Sequence, residues 1–162
     1  MNAIVVVDKN WAIGKDGDLL CHLKKDLQYF KEKTTGKVIV IGRKTLESFP
    51  GAKPLPNRTN IVLTGNKDYK NDACVVCCGM DALDSELLKY DTEDIFVAGG
   101  ETIYQQFLDK CNKLYVTRID AEFEADKHFP NIDENDDFKL VSESGIVEEN
   151  GFQYTFCVYE RV

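Results

Sequence analysis

The chain has no apolar run approaching the ~20 residues that a bilayer-spanning helix requires, and no basic segment at its start of the kind that precedes a secretion signal. The opening MNAIVVVD reads instead as a first strand, and the protein as cytosolic. Positive charge is scarce: 20 Lys and Arg stand against 28 Asp and Glu, a formal net charge of −8. That balance excludes a nucleic-acid partner, because phosphate backbones need basic surface. It also requires any anionic ligand to be held by local cations, with screening over about 8 Å limiting the repulsion from the rest. There are only two histidines, His22 and His128, and neither has a Ser or Cys partner arranged for nucleophilic catalysis. Six cysteines are present, but without a secretion signal they read as reduced thiols. Cys74 and Cys77 have C-x-x-C spacing without a second metal-type pair, and the run continues straight into Cys78, so no metal is expected. Repeats, low-complexity tracts and linkers are absent. The 162 residues make one domain, 1–162, of ordinary globular composition and monomeric by default.

What is present alternates. Apolar, β-branched runs at 3–7, 37–41, 59–64, 73–77, 94–98 and 113–119 are separated by helical patterns at 24–33, 44–48, 81–88 and 101–108. This is the signature of an α/β fold with a mostly parallel twisted sheet of about eight strands, flanked by about four helices. The end of the chain differs. Residues 138–141 and 152–159 flank Asn150-Gly151, a strong hairpin signal. Phe152, Tyr154, Phe156 and Val158 alternate onto one face. Antiparallel strands are therefore expected to finish the sheet.

Within the run LKKDLQYF, from Leu23 to Phe30, a helix of about 100° per residue places Leu23, Leu27, Tyr29 and Phe30 in one apolar arc. Asp26 falls inside that arc. Burial would lift its pKa above the usual ~3.9, and a rise of two pH units corresponds to about 2.7 kcal/mol. It is either a site acid or a solvated edge residue. Gly99 and Gly100 follow an apolar strand and open a helix, an arrangement that suits a phosphate or a plain turn equally well. The spacing is not G-x-G-x-x-G, so the ordinary dinucleotide fingerprint is missing. Gly42, Arg43, Lys44 and Thr45 repeat the strand–glycine–helix arrangement with two cations and a hydroxyl. Thr64 ends a further strand. Three strand ends with anion-friendly chemistry suggest an extended, multiply phosphorylated ligand. The stiff segment FPGAKPLPNR, 49–58, offers Phe49 and Leu55 as apolar walls and Arg58 as a planar, bidentate grip for a carboxylate.

Taken with WAIG (11–14), IGRKTLES (41–48), PLPNR (54–58), AGG (98–100), YQQF (104–107), LYVT (114–117) and DKHFP (126–130), these segments are similar to dihydrofolate reductase over essentially the whole chain. Each motif is short, but their joint order and spacing is specific. The resemblance implies NADPH-dependent reduction of dihydrofolate to tetrahydrofolate, with antifolate inhibitors as further ligands. It makes Asp26 the pterin-binding carboxylate and Thr117 the hydroxyl that supports it through water. Ile4, Val5, Leu27, Phe30, Phe49, Leu55 and Ala98 become walls of the folate pocket, and Arg58 the clamp on the glutamate tail. The cofactor side is implied for Val6, Ile13, Gly14, Gly42, Arg43, Lys44, Thr45, Leu63, Thr64, Gly99, Gly100, Glu101, Thr102, Ile103 and Tyr104. The Gly99–Gly100 bond is cis in this family, and residues 14–18 are expected to close over the nicotinamide. One departure stands out: Leu20-Cys21 replaces the Pro-Trp usual before the helix, and a thiol cannot donate an indole N–H. A pyrimidine reductase of riboflavin biosynthesis is the alternative enzyme, disfavoured by the Asp26 helix and the PLPNR segment. A non-catalytic nucleotide-binding protein is the alternative of another class, disfavoured by the presence of both Asp26 and Thr117.

Overall fold

The computed structural model describes residues 1–162. Twelve strands and four α-helices run in the order β1 (Asn2–Val7), β2 (Ala12–Lys15), β3 (Asp18–Leu19), α1 (Lys24–Thr34), β4 (Val38–Gly42), α2 (Arg43–Ser48), β5 (Thr59–Thr64), β6 (Val75–Cys78), α3 (Met80–Leu87), β7 (Ile95–Val97), α4 (Glu101–Phe107), β8 (Lys113–Ile119), β9 (Lys127–His128), β10 (Phe138–Glu143), β11 (Val147–Glu149) and β12 (Phe152–Arg161). The main sheet has the order β10-β12-β8-β1-β7-β4-β5-β6, with β11 added along β12. From β8 to β6 every pairing is parallel, whereas β12 runs antiparallel to β8, β10 and β11. The expected α/β architecture with four helices and antiparallel closing strands is what forms.

The central strands read as unbroken apolar runs because both faces of a parallel sheet are covered. Ala3, Val5, Val7, Val38, Val40, Ile61 and Val97 join the large core on one face, where α3 contributes Leu83 and Leu87 and α4 contributes Ile103, Tyr104 and Phe107. Ile4, Ile39 and Phe96 point the other way, towards Tyr29 and Phe30 of α1. Ile41 and Val62 share that second face with Leu46 of α2. Period-two alternation thus assigns each strand residue to one helix layer or the other. No buried side-chain nitrogen or oxygen lacks a partner.

Three features differ from the expectation. The Asn150-Gly151 turn is present, with φ of 53° and 81°, but its first arm comes in two pieces, with β11 next to the turn. Residues 138–141 lie in β10, which pairs farther along the same edge of β12, away from β8. Nor is β12 apolar on one face only: Tyr154 and Phe156 pack with Leu23 and Ile119, while Cys157 and Tyr159 enter the large core behind the sheet. The strand lies between two layers, so alternation on one side told half the story. Finally, β3, β2 and β9 form a separate three-stranded sheet. Its β2–β3 turn is Asp16-Gly17, at φ of 52° and 81°, an Asp-Gly dipeptide that suits a tight hairpin as Asn-Gly does. Gly14 has no room for a side chain there, since a Cβ would lie 2.7 Å from the Asp18 carbonyl oxygen.

The segment before β5 is held from inside. Asn60, almost fully buried, accepts from the Leu55 N–H at 3.0 Å and donates to the carbonyls of Leu55 and Arg58 at 2.9 and 3.1 Å. Replacing Asn60 by Ala strands these backbone groups, and the expected cost is roughly 2–3 kcal/mol. Urea unfolding of Asn60→Ala measures it; an unchanged midpoint would show that the Leu55–Arg58 backbone is held by something else.

Candidate active site

A cleft of about 640 Å³ opens at the carboxyl ends of the parallel strands. Val5 and Val6 end β1; Gly42, Arg43, Lys44, Thr45 and Ser48 follow from β4 into α2; Leu63, Thr64, Gly65 and Asn66 end β5; and Ala98 to Tyr104 run from β7 into α4. Ile13, Gly14, Lys15, Gly17, Asp18 and Leu19 form one rim from the small sheet, with Lys127 beside them. Strand ends at a change in strand order are where α/β sheets leave such a crevice. The Gly42 N–H donates to the Gly99 carbonyl at 3.0 Å, tying two of these ends together. The Gly99–Gly100 peptide is cis, with Gly99 at φ 130°. A Cβ on Gly99 would stand 3.5 Å from Thr45 and on Gly100 3.4 Å from the same hydroxyl. Bare backbone therefore faces the cleft with cations at its rim. Lys15 pairs with Glu124 and Arg43 reaches Glu47 only at 3.4 Å, while Lys44 has no acidic partner.

Beside the cleft lies an apolar wall. Phe30, Leu55 and Ala98 pack half-buried against Ile4, Ile39 and Phe96, and Phe49 joins Ala98 against Ile41, Leu46 and Val62. Ala98 also lines the cleft, so wall and cleft are continuous. Arg58 lies at the far end. Its guanidinium donates to the Pro56 carbonyl and the Thr34 hydroxyl, sits 5.8 Å from the centre of the Phe30 ring, and has no acidic partner. Partial burial lowers its pKa, yet an arginine stays protonated regardless.

Asp26 is buried on the third residue of α1, 9% exposed. The expected water between it and Thr117 is replaced by a direct bond: the Thr117 hydroxyl donates to Oδ1 at 2.6 Å. Thr117 is placed by register, paired on β8 opposite Val6 of β1, which is itself a cleft residue. Burial pushes the Asp26 carboxyl up to about 6, partly offset by the Thr117 hydroxyl and reinforced by the negative charge of Glu149. Tyr104, buried on α4, donates to the Ile4 carbonyl at 2.7 Å, and desolvation raises its own pKa. The acid, the cleft and the wall thus meet around the end of β1.

Leu27 departs from the apolar arc drawn for α1. It is 49% exposed and lies outside the cleft lining. The buried stripe of α1 is centred on Leu23, Phe30 and Thr34, and Leu27 sits about 40° off that centre at 100° per residue, on the side away from Asp26. Cys21, where an indole is usual, packs partly buried against Leu23, Ile119 and Tyr154. Two rim residues, Leu19 and Lys127, were given no role: Leu19 lies in no motif, and Lys127 stands in DKHFP without an assigned contact. The Asp16-Gly17 hairpin signal locates them, because it pairs Leu19 with Gly14, and Lys127 pairs with Gly14 on its other side.

An α/β sheet with a glycine-lined, cation-rimmed cleft beside one buried acid defines a ligand-binding protein of the nucleotide-cleft kind. A family model described as dihydrofolate reductase matches residues 1–161. The dihydrofolate reductase of Bacillus subtilis (strain 168) is 44% identical over 161 residues, covering 98% of this chain and 92% of that protein. That of Staphylococcus haemolyticus is 40% identical over 164 residues, covering 100% and 96%. Among solved structures, the Enterococcus faecalis dihydrofolate reductase complexed with NADP(H) and RAB-propyl superposes with a TM-score of 0.87 at 37% identity, covering 99% of this chain and 95% of that one. The chain belongs to the dihydrofolate reductase family.

The Asp26 burial has a stability consequence. The carboxyl ionises at 3.8 ordinarily and at about 6 in the fold, so the folded state holds the proton more tightly. The contribution of this carboxyl to stability is greatest below pH ~4, declines as pH rises through the window to about 6, and its loss is complete above it, at roughly 3 kcal/mol. Asp26→Asn should therefore raise the urea midpoint at pH 7.5 by an amount of that order and leave it unchanged at pH 3.5. A gain of equal size at both pH values would show that the charge is not its origin.

Proposed function

We propose that the protein, as one domain spanning residues 1–162, reduces 7,8-dihydrofolate to 5,6,7,8-tetrahydrofolate at the expense of NADPH, with Asp26 and Thr117 as its catalytic pair. The observation that carries this reading is the buried, Thr117-bonded carboxylate where the apolar wall meets the glycine-lined cleft. When bound, the nicotinamide supplies the hydride; the chain's residues bind, orient and supply charge.

The residues present suit such a cofactor. Bare backbone at Gly99 and Gly100 lets a pyrophosphate approach the start of the segment leading into α4, and Thr45 stands alongside. Arg43 and Lys44, with Thr64, form the grip for a 2′-phosphate, which favours the phosphorylated cofactor. Leu63, Glu101, Thr102 and Ile103 complete the walls, Val6 and Ile13 offer backbone groups to the carboxamide, and Gly14 with the β2–β3 hairpin forms the cover. On the substrate side, Ile4, Val5, Leu27, Phe30, Phe49, Leu55 and Ala98 enclose the ring and benzoyl group, and antifolates would compete for the same wall. Leu27's exposed apolar surface is then covered by ligand. Arg58, free of any acid, receives the glutamate carboxylate, with Thr34 and Pro56 holding its plane.

Asp26 accepts hydrogen bonds from the amidine-like edge of the pterin. Its negative charge, held in a poorly solvated site, stabilises the positive character that develops on the ring as hydride arrives. A carboxyl ionising near 6 keeps proton affinity within reach of neutral pH. Thr117 fixes the rotamer, leaving Oδ2 free of protein donors. The reading takes the protein to be a monomer in the reducing cytoplasm, in keeping with six cysteines that are all unpaired and no helix long and apolar enough to cross a membrane.

Absorbance at the nicotinamide band, with dihydrofolate and NADPH or NADH, tests the activity directly; the phosphorylated cofactor should win by tenfold or more, on the order of one charge-assisted contact. Asp26→Asn should keep NADPH binding and lose at least 100-fold in hydride transfer at pH 7, in the range of acid–base contributions, recovering partly in acid where the pterin is protonated beforehand. Undiminished turnover at neutral pH would remove Asp26 from the mechanism. Arg58→Leu should weaken glutamate-bearing folates about 100-fold while leaving small pteridines nearly unaffected, since a charged contact of roughly 2–3 kcal/mol is lost only for the former; equal losses would rule out the clamp.

A further inference from the structure

The start of α1 has no side-chain cap of its own: Leu23, an apolar residue, occupies the capping position. The unpaired N–H groups are met from a point distant in sequence. Glu149, the last residue of β11, accepts from the Lys24 N–H at 2.5 Å through Oε2 and from the Lys25 N–H at 3.0 Å through Oε1. Its Oε1 also accepts from the hydroxyl of Tyr154 at 3.0 Å, and that ring is buried to 1% exposure. The carboxylate is thus anchored below by a rigid phenol and bridges the β11–β12 hairpin to the first turn of α1. These backbone bonds hold its own pKa down, so it is charged at neutral pH.

Asp26 is the very next residue after Lys25. We propose that Glu149 is a positioning residue for Asp26: from the β11–β12 hairpin it fixes the first turn of α1, sets the depth of the carboxylate beside Thr117, and offsets the positive helix end that would otherwise favour its ionisation. The inference rests on the role given to Asp26 above and adds a residue to it. A helix N-terminus carries a partial positive charge, and a carboxylate three residues into the helix lies within its field. The anion of Glu149 opposes that field. The other ionisable groups coupled to Asp26 are Cys21 before α1, Tyr29 on α1, Tyr104 on α4 and Tyr154 on β12; burial raises the pKa of each, so all are neutral near pH 7. Glu149 is the one charged neighbour among them, and its charge works to keep the proton on Asp26. It touches neither the cleft lining nor the apolar wall, and acts only through α1.

The test is a carbon-13 carboxyl titration of Asp26 in the full-length protein without ligands, for wild type, Glu149→Gln and Glu149→Ala. The Gln variant keeps an acceptor for the backbone N–H groups and removes the charge, so its fold is retained. In both variants the Asp26 midpoint should move to lower pH. The pH profile of single-turnover hydride transfer should move with it to lower pH, by the equivalent of roughly a two- to threefold change in proton affinity, the effect of one charge acting through water over about 8 Å. Amide exchange at Lys24 and Lys25 should accelerate in Glu149→Ala and stay near wild type in Glu149→Gln. An Asp26 midpoint unchanged in a folded Glu149→Gln protein overturns the proposal, even if melting temperature falls, since that result describes a merely structural cap. Should the midpoint shift while wild type fails to reduce dihydrofolate, the link between Glu149 and Asp26 stands and the functional reading fails.

Discussion

The hydrogen bond from Thr117 to Asp26 is the contact on which the rest of the site depends. It joins a strand at the centre of the sheet to the first turn of a helix lying over it, and it does so at the point where burial makes a bare carboxylate costly. Without that donor the acid would be better off rotating to solvent. With it, the carboxylate is aimed, and its remaining oxygen has no protein donor. The sheet supplies the precision: Thr117 stands opposite Val6 by parallel register, so the acid, the cleft and the end of β1 are held in one frame.

Charge is arranged on two scales. The chain as a whole is strongly acidic, yet the cleft collects Lys15, Arg43, Lys44 and Lys127 around bare glycine backbone, and Arg58 sits without an acidic partner at the end of the apolar wall. Global charge governs solubility and long-range approach, whereas a bound anion feels groups within a Debye length. Acidic surface and anion binding therefore coexist without conflict.

The parallel sheet and all four helices were legible because their signals are local. Continuous β-branched runs mean strands covered on both sides, and 38–41 is apolar at every position for that reason. Asp26 was legible as a violation of its own helix. The small sheet was not, because two of its strands are two residues long and their pairing is specified by the Asp16-Gly17 turn and by contacts more than 100 residues apart. The hairpin turn at Asn150-Gly151 was read correctly and 138–141 does pair with the second arm, but the break that splits the first arm into β10 and β11 was not read: turn chemistry specifies where a chain reverses, while an interruption of the arm is decided by packing. Leu27 shows the limit of a helical wheel, which ranks residues by angle and knows nothing of what stands opposite. Glu149 left no local trace at all, since its partners are backbone N–H groups 124 and 125 residues away.

That separation bears on how the protein is made. Both contacts that define the surroundings of Asp26 close loops of 91 residues or more, and the β12 strand that carries Tyr154 lies far downstream of α1. Helix α1 can form locally, but its carboxylate has no fixed environment until the β11–β12 hairpin has docked. Such long closures are slow steps in folding. Competence for chemistry is accordingly acquired only after these distant segments have met.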